Sequence, residues 1–266
     1  SLLAPVKSTV RSNISRGSVD DIVTKLENEG FNVEKDDILP FCLHVSGQTI
    51  VNSRAFKDGY VSIQDKSSMM VAHIMKLGRD DKVLDACSAP GGKACHMAEI
   101  LSPEGQVDAT DIHLHKIDLI QHNIKKLKLD NIHAFQHDAT EPYKEMYDKI
   151  LVDAPCSGLG VLRHKPEIKY TQTQDSIQSL VDLQLQILEN IKHNIKSGGT
   201  ITYSTCTIEQ MENENVIYTF LKQNEEFEFE PFQHPVTGKQ VKTLQILPQD
   251  FDSDGFFITQ IKRKES

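Results

Sequence analysis

Apolar positions recur along this chain first with a helical period and then in an alternation of short apolar runs and helical stretches. Between Ser18 and Gly30, the residues Val19, Ile22, Val23 and Leu26 fall at helical spacing, with Ser18 as the cap and Gly30 as the stop. Residues 41–45 and 49–51 read as extended, and Ser46-Gly47 between them predicts a hairpin. Pro40 and Gly59 punctuate this front part. The pattern predicts a small α+β subdomain over 1–60 and a larger domain over 61–266.

The larger part alternates. A helix is predicted over 64–77, a strand over 82–86, and a helix from the glycine loop at 91–92 to about 101. A strand over 105–111, a helix over 113–127 and a strand over 131–138 follow. Residues 147–154 contain the continuous apolar run Ile150-Leu151-Val152, which suits a strand buried on both faces. A helix over 176–195 stops at Gly198-Gly199, then come a strand over 200–204 and a helix over 212–223. The tail predicts strands over 242–247 and 256–261 about a Ser253-Asp254-Gly255 turn. Alternating β and α at this spacing means an α/β fold with a mostly parallel, doubly wound sheet. The final hairpin adds an antiparallel edge, making seven strands. No internal repeat or low-complexity tract interrupts it.

Composition narrows the class only loosely. The chain has 266 residues, 38% apolar and 25% charged, which is ordinary globular material. It has no apolar run of about 18 residues, so no membrane helix is expected. The start, Ser1-Leu2-Leu3-Ala4-Pro5, is too short and mixed for a signal peptide, and it lacks an initiator Met, so an upstream segment is expected to have been removed. Five scattered cysteines without a C-x-x-C pair point to free thiols in a reducing compartment, and no metal is expected. A cytoplasmic monomer is the expectation. The net charge of −9 opposes non-specific attraction to nucleic acid but leaves a local basic groove open. Basic clusters stand at Lys7, Arg11 and Arg16; at Lys125, Lys126 and Lys128; at Arg163, His164 and Lys165; and at Lys262, Arg263 and Lys264.

The chemistry gathers at predicted strand ends, which converge on the ligand in an open α/β sheet. After the first strand comes Cys87-Ser88-Ala89-Pro90-Gly91-Gly92-Lys93, where glycines let backbone approach a ligand and a helix N-terminus follows. This loop is neither the dinucleotide fingerprint nor a P-loop. Asp111 ends the second strand, placed either to hold ribose hydroxyls or to cap a helix. Asp138 ends the third, facing an adenine amino group or closing a turn. Asp153-Ala154-Pro155-Cys156 ends the fourth, and Ser204-Thr205-Cys206-Thr207 the fifth.

These segments resemble signature motifs of RNA cytosine-5 methyltransferases, the Sun family. The resemblance rests on Ala86-Cys87-Ser88-Ala89-Pro90-Gly91-Gly92-Lys93, on Asp153-Ala154-Pro155-Cys156-Ser157-Gly158-Leu159-Gly160 and on Tyr203-Ser204-Thr205-Cys206-Thr207. Phe56-Lys57-Asp58-Gly59 with Gln64-Asp65-Lys66-Ser67-Ser68, and Asp254-Gly255-Phe256-Phe257, are similar to two further family segments. It spans about Arg11 to Lys262. Ser88, Ala94 and Thr207 depart from the usual Ala, Thr and Ser, without touching either motif cysteine.

The resemblance implies a Rossmann-like class I methyltransferase that uses S-adenosyl-L-methionine, preceded by an RNA-contacting subdomain. It implies that residues 87–93, Asp111, Asp138 and Asp153 hold the cofactor. It implies that Cys206 adds to carbon 6 of cytosine, that Asp153 activates the ring through its N3/N4 edge, and that Cys156 assists release. Lys93 either lowers a thiol pKa or contacts phosphate or backbone. Within the family the likeness is strongest to bacterial members acting on 16S ribosomal RNA, where a NusB-like helical domain precedes this part. The implied partner is therefore small-subunit ribosomal RNA, with the target base extruded into the site. Arg11 and Arg16 would form an RNA platform, and Arg163-His164-Lys165-Pro166 would grip phosphates. Two other readings stay open: a DNA cytosine-5 methyltransferase, and a non-catalytic cofactor-binding factor in ribosome assembly.

Overall fold

A capping box starts the first helix, α1 (Val19–Asn28): the Ser18 hydroxyl accepts from Asp21 N while Asp21 reaches back to Ser18 N. The computed structural model that places it describes residues 7–162, 167–168, 172–250 and 253–265. Helix α1 lays Ile22 and Leu26 on a four-stranded antiparallel sheet of β1 (Ser8–Ser12), β2 (Asn32–Lys35), β3 (Cys42–Ser46) and β4 (Val61–Ile63). The strand order is β2-β3-β1-β4.

The predicted hairpin is only half present. β3 is the strand expected over 41–45, but it pairs with β2 and β1, so both its edges are taken. The segment expected to pair with it is instead a 3-10 turn, Ile50–Asn52, that buries Ile50 and leads into the short helix α2 (Arg54–Lys57). β1 carries one aliphatic residue, Val10, and therefore gives little strand signal.

The larger sheet contains β5 (Lys82–Asp85), β6 (Gln106–Asp111), β7 (Ile132–Gln136), β8 (Tyr147–Asp153), β9 (Ile195–Thr205), β10 (Phe227–Phe229), β13 (Thr243–Ile246) and β14 (Phe256–Arg263). A two-stranded ribbon, β11 (Phe232–Gln233) with β12 (Gln240–Val241), stands apart. The order β10-β14-β9-β8-β5-β6-β7 is parallel from β9 to β7, with β14 antiparallel on β9 and β13 antiparallel on β14. The sheet thus has eight strands rather than seven. The extra one, β10, lies in Glu225-Glu226-Phe227-Glu228-Phe229-Glu230, where the alternation is masked by its acidity; Phe227 is the buried member.

Helices α3 (Lys66–Met75), α4 (Gly92–Leu101) and α5 (Leu114–Leu127) cover one face, and α6 (Gln174–Ile191) and α7 (Glu214–Gln223) the other. β8 shows why its run is wholly apolar. Leu151 joins the first core, while Ile150 and Val152 join the second. α6 ends at Ile191, short of the predicted 195, because residues from Ile195 onward enter β9 through an irregularity opposite Tyr147.

The front sheet is bolted to the larger one by buried polar groups. Arg11, expected on an RNA platform, is 1% exposed. Its guanidinium makes a fork on Glu99 of α4 at 2.7 and 2.9 Å, and donates to Gly92 O at 2.9 Å and to Gln64. A residue so placed contacts no RNA phosphate. Arg16 lies over the Tyr60 ring, 4.7 Å from its centroid. The Asn13 amide donates to Gly59 O and to Leu127 O, the end of α5.

Candidate active site

The switch point of the sheet lies between β5 and β8, whose outer neighbours run in opposite directions of the strand order. Outside their carboxyl ends is a cleft of about 480 Å³. That is within the range of small-molecule and cofactor sites. Of the predicted residues, Cys87, Ala89, Asp111, Asp138, Asp153, Cys156 and Cys206 line it. Ile112, Ala139, Leu183 and Ile187 supply apolar wall.

The glycine loop shapes this cleft from behind. Gly91 caps α4 at φ +96°, and an added Cβ would stand 3.0 Å from Ile120 of α5. Ser88 turns inward, its amide donating to Thr110 O. Pro90 and Gly92 instead border a smaller cavity of about 230 Å³ toward the front sheet, with Arg11 and Lys126. Asp111 is 7% exposed; its Oδ1 accepts from His113 N at 3.0 Å, with Lys116 Nζ 3.8 Å away. Asp138 Oδ1 accepts from Thr140 N and Oγ1, so it closes a turn as well as facing the cleft.

Asp153 joins the two cysteine segments to the loop. Its Oδ2 accepts from Lys93 Nζ at 2.7 Å and its Oδ1 from Ser204 Oγ at 2.7 Å. Lys93 also lies over the Phe256 ring at 5.1 Å. The two sulfurs, Cys156 Sγ and Cys206 Sγ, are 3.4 Å apart.

The two thiols are driven apart in acidity. The hydrogen bond between the two sulfurs, and then Lys93 nearby, hold Cys206 below the ordinary thiol value against burial and Asp153. The same pairing, then burial, pushes Cys156 well above it. Burial raises Cys42 and Cys95 to about 12, and it raises Cys87 as well, so these three stay neutral thiols.

The family-like segments converge on this place. Gly160 N donates to Cys206 O at 2.9 Å, and Gly160 O accepts from Gly255 N at 2.9 Å. Ser253 Oγ donates to Asp65 Oδ1 at 2.6 Å. Arg163-His164-Lys165-Pro166 lies outside the described residues. Sequence reasoning missed Asp85, at the end of β5 and 0% exposed, whose carboxyl burial and then Asp153 raise to about 7. Its signal was an acid closing an apolar strand just before the glycine loop. It also missed the buried pair Glu212 and Asn213, polar residues six and seven positions past Cys206 with no local pattern to mark them.

The sequence profile of the 16S rRNA methyltransferase RsmB/F family matches residues 72–262. The chain is 40% identical over 272 residues to a probable ribosomal RNA small subunit methyltransferase B of Bacillus subtilis, covering 98% of this chain and 61% of that one. It is 33% identical to ribosomal RNA small subunit methyltransferase B of Proteus mirabilis, covering 96% and 58%. The chain thus spans about three fifths of the length of these curated relatives. A methyltransferase homolog protein from Pyrococcus horikoshii superposes with a TM-score of 0.84 at 26% identity, covering 98% of this chain and 87% of that one. NSun6 from the same organism, crystallised with SFG, shares the fold with a TM-score of 0.86 at 21% identity over 98% and 91%.

Proposed function

This chain belongs to the 16S rRNA methyltransferase RsmB/F family, and on that premise we propose that it methylates carbon 5 of a cytosine in RNA from S-adenosyl-L-methionine, with small-subunit ribosomal RNA as substrate. The observation that carries the reading is the Cys156–Cys206 pair at 3.4 Å beside Asp153, on a cleft at the switch point. The cleft suits the cofactor: Asp111 faces it as a ribose acceptor, and Ile112, Ala139, Leu183 and Ile187 offer an apolar bed for a purine. Gly91, with no Cβ, lets the loop pack against Ile120 of α5 and so holds Cys87 and Ala89 at the cleft wall. Cys87, Ala89, Asp111, Asp138 and Asp153, which line the cleft, would hold it, and when bound it supplies an electrophilic methyl group.

Carbon 5 of cytosine is a poor nucleophile. The Cys206 thiolate adds to carbon 6, forming the Sγ–C6 bond and pushing the C5–C6 π pair toward carbon 5. Asp153 accepts from the N4 amino edge of the ring; both its oxygens have a spare lone pair beyond Ser204 and Lys93. This orients the base over Cys206. After methylation the carbon 5 proton must leave, its electron pair restoring the C5–C6 double bond while the Sγ–C6 bond breaks and Cys206 departs as thiolate.

Cys156 serves that last step. Its high pKa comes first from pairing with Cys206. Once Cys206 is bonded to carbon its charge is gone, and that cause disappears. Cys156 then ionises more easily and takes the carbon 5 proton, directly or through water. Transfer of label from methyl-labelled cofactor to deproteinised 16S ribosomal RNA tests the proposal. Recovery of the label as 5-methylcytosine is expected, and label on another atom or base would refute it.

A further inference from the structure

Glu212 and Asn213 belong to neither the cleft nor the cofactor loop, yet both are 0% exposed. Glu212 accepts from Ser157 N at 2.8 Å, from Ser157 Oγ at 2.5 Å and from Gln184 Nε2 at 3.1 Å. Gln184 also donates to Pro155 O at 2.9 Å. The residues on both sides of Cys156 are therefore held through one carboxylate. Asn213 does the same for Cys206: its Oδ1 accepts from Thr205 Oγ1 at 2.5 Å, and its Nδ2 donates to Thr207 O at 3.1 Å. A hydroxyl contact of 2.9 Å between Ser157 Oγ and Thr207 Oγ1 closes the circuit between the halves.

Among the described residues no Lys, Arg or His forms an ion pair with Glu212. A buried carboxylate satisfied only by neutral donors is costly to keep, and an apolar core would be cheaper to build. The groups it organises are the immediate neighbours of the two sulfurs. We propose that Glu212 and Asn213 are positioning residues: a clasp that fixes the Cys156 segment against the Cys206 segment and so sets the contact between the two thiols. Glu212 governs Cys156, and through it the release step; Asn213 governs Cys206, and through it the addition step. The assignment of steps rests on the proposed function, whereas the clasp itself does not.

The test reads the thiols directly. The full chain, as wild type, Glu212→Ala, Glu212→Gln and Asn213→Ala, is alkylated with iodoacetamide across a pH series, and Cys206 and Cys156 are followed separately by mass spectrometry. In Glu212→Ala the Cys156 donor swings away. Cys206 alkylation at neutral pH slows on the order of ten-fold, the fall in thiolate fraction that a thiol one pKa unit less acidic shows, and Cys156 alkylation speeds up. Glu212→Gln, which can still accept from Ser157 N, recovers most of the wild-type profile. In methyl transfer Glu212→Ala loses on the order of 10²-fold in kcat, the scale of a small misplacement, with little change in KM for the cofactor, and protein–RNA adduct builds up. Asn213→Ala loses kcat without adduct. Should Glu212→Ala fail to fold, Ser157→Ala removes the two hydroxyl contacts, to Glu212 and to Thr207, keeps the hydrogen bond from Ser157 N, and shifts each profile in the direction given for Glu212→Ala. Thiol profiles identical to wild type in a folded Glu212→Ala or Ser157→Ala, with only a lower Tm, overturn the clasp. Shifted profiles in a protein whose wild type methylates no cytosine uphold the clasp and reject the proposed reaction.

Discussion

Lys93 Nζ sits 2.7 Å from Asp153 Oδ2, so the glycine loop and the end of β8 share one ion pair, and both of its charges act on Cys206. Two opposing charges thereby act on one thiol. Asp153 raises the Cys206 pKa and Lys93 lowers it, while the Cys156 thiol provides the largest stabilisation of the thiolate.

Lys93→Met removes the cation and leaves Asp153 in place. In the proposed reaction the thiolate is the reactive form, so the rate of cytosine methylation is expected to rise with pH through the Cys206 pKa. In wild type this limb is expected below the ordinary thiol value, because the hydrogen bond to Cys156 and the nearby Lys93 lower that pKa. In Lys93→Met it moves to higher pH, and the rate at neutral pH falls. A pH profile of kcat/KM for RNA checks this, and an unmoved limb would show that Lys93 has no part in thiol activation.

Asp85 makes a stability prediction of definite sign. Its carboxyl titrates at about 7 in the folded chain against an ordinary 3.8. The folded state therefore holds a proton that the unfolded state has lost between these values, and stability falls as pH rises through that window. The cost above it is on the order of several kcal/mol. Asp85→Asn, which cannot ionise, is expected to raise Tm relative to wild type at pH 8 and to leave it nearly unchanged at pH 4. Equal shifts at both pH values would mean that the buried carboxyl is neutralised by something else.

Replacing Arg11 tests its role as a bolt between the sheets. Arg11→Met strands Glu99 in the core, and removing one partner of a buried pair typically costs about 3–5 kcal/mol. Adding Glu99→Leu is expected to recover much of that loss in urea unfolding. The salt dependence of RNA binding should not change in the double variant, since a group 1% exposed neutralises no phosphate.

Gly160→Ala puts a methyl 2.0 Å from Gly255 O, which is backbone and cannot swing aside. Overpacking of this kind costs about 1–3 kcal/mol. Since Gly160 N holds Cys206 O, methyl transfer should fall together with Tm. A variant with wild-type Tm and full activity would show that these two loops move independently.

The larger α/β half was more legible in the sequence than the front half, for physical reasons. β8 reads as a strand because both faces are buried, so Ile150-Leu151-Val152 carries no polar interruption. The cysteine motifs end such strands and were legible with them. β1 and β10 were not. β1 buries Val10 and also the polar Arg11 and Ser12, and the Arg11 side chain is satisfied by partners distant in the chain. β10 alternates Phe with Glu, and its acidity conceals the period. Residues 49–51 have the composition of a strand, but both edges of β3, their expected partner, are taken by β1 and β2, which is tertiary information. Arg11 looked like a surface cation for the same reason: its partner Glu99 lies 88 positions away. Glu212 and Asn213 act on groups that only the fold brings near.

The division of labour proposed between Cys206 and Cys156 can be read from denaturing electrophoresis of protein–RNA adducts formed with ribosomal RNA and S-adenosyl-L-methionine. Cys156→Ala is expected to accumulate a covalent adduct, because the Sγ–C6 bond forms and is not released. Cys206→Ala, and the double variant, should form none and transfer no methyl. An adduct in Cys206→Ala, or an active Cys206→Ala beside an inactive, adduct-free Cys156→Ala, would contradict the account and make Cys156 the nucleophile.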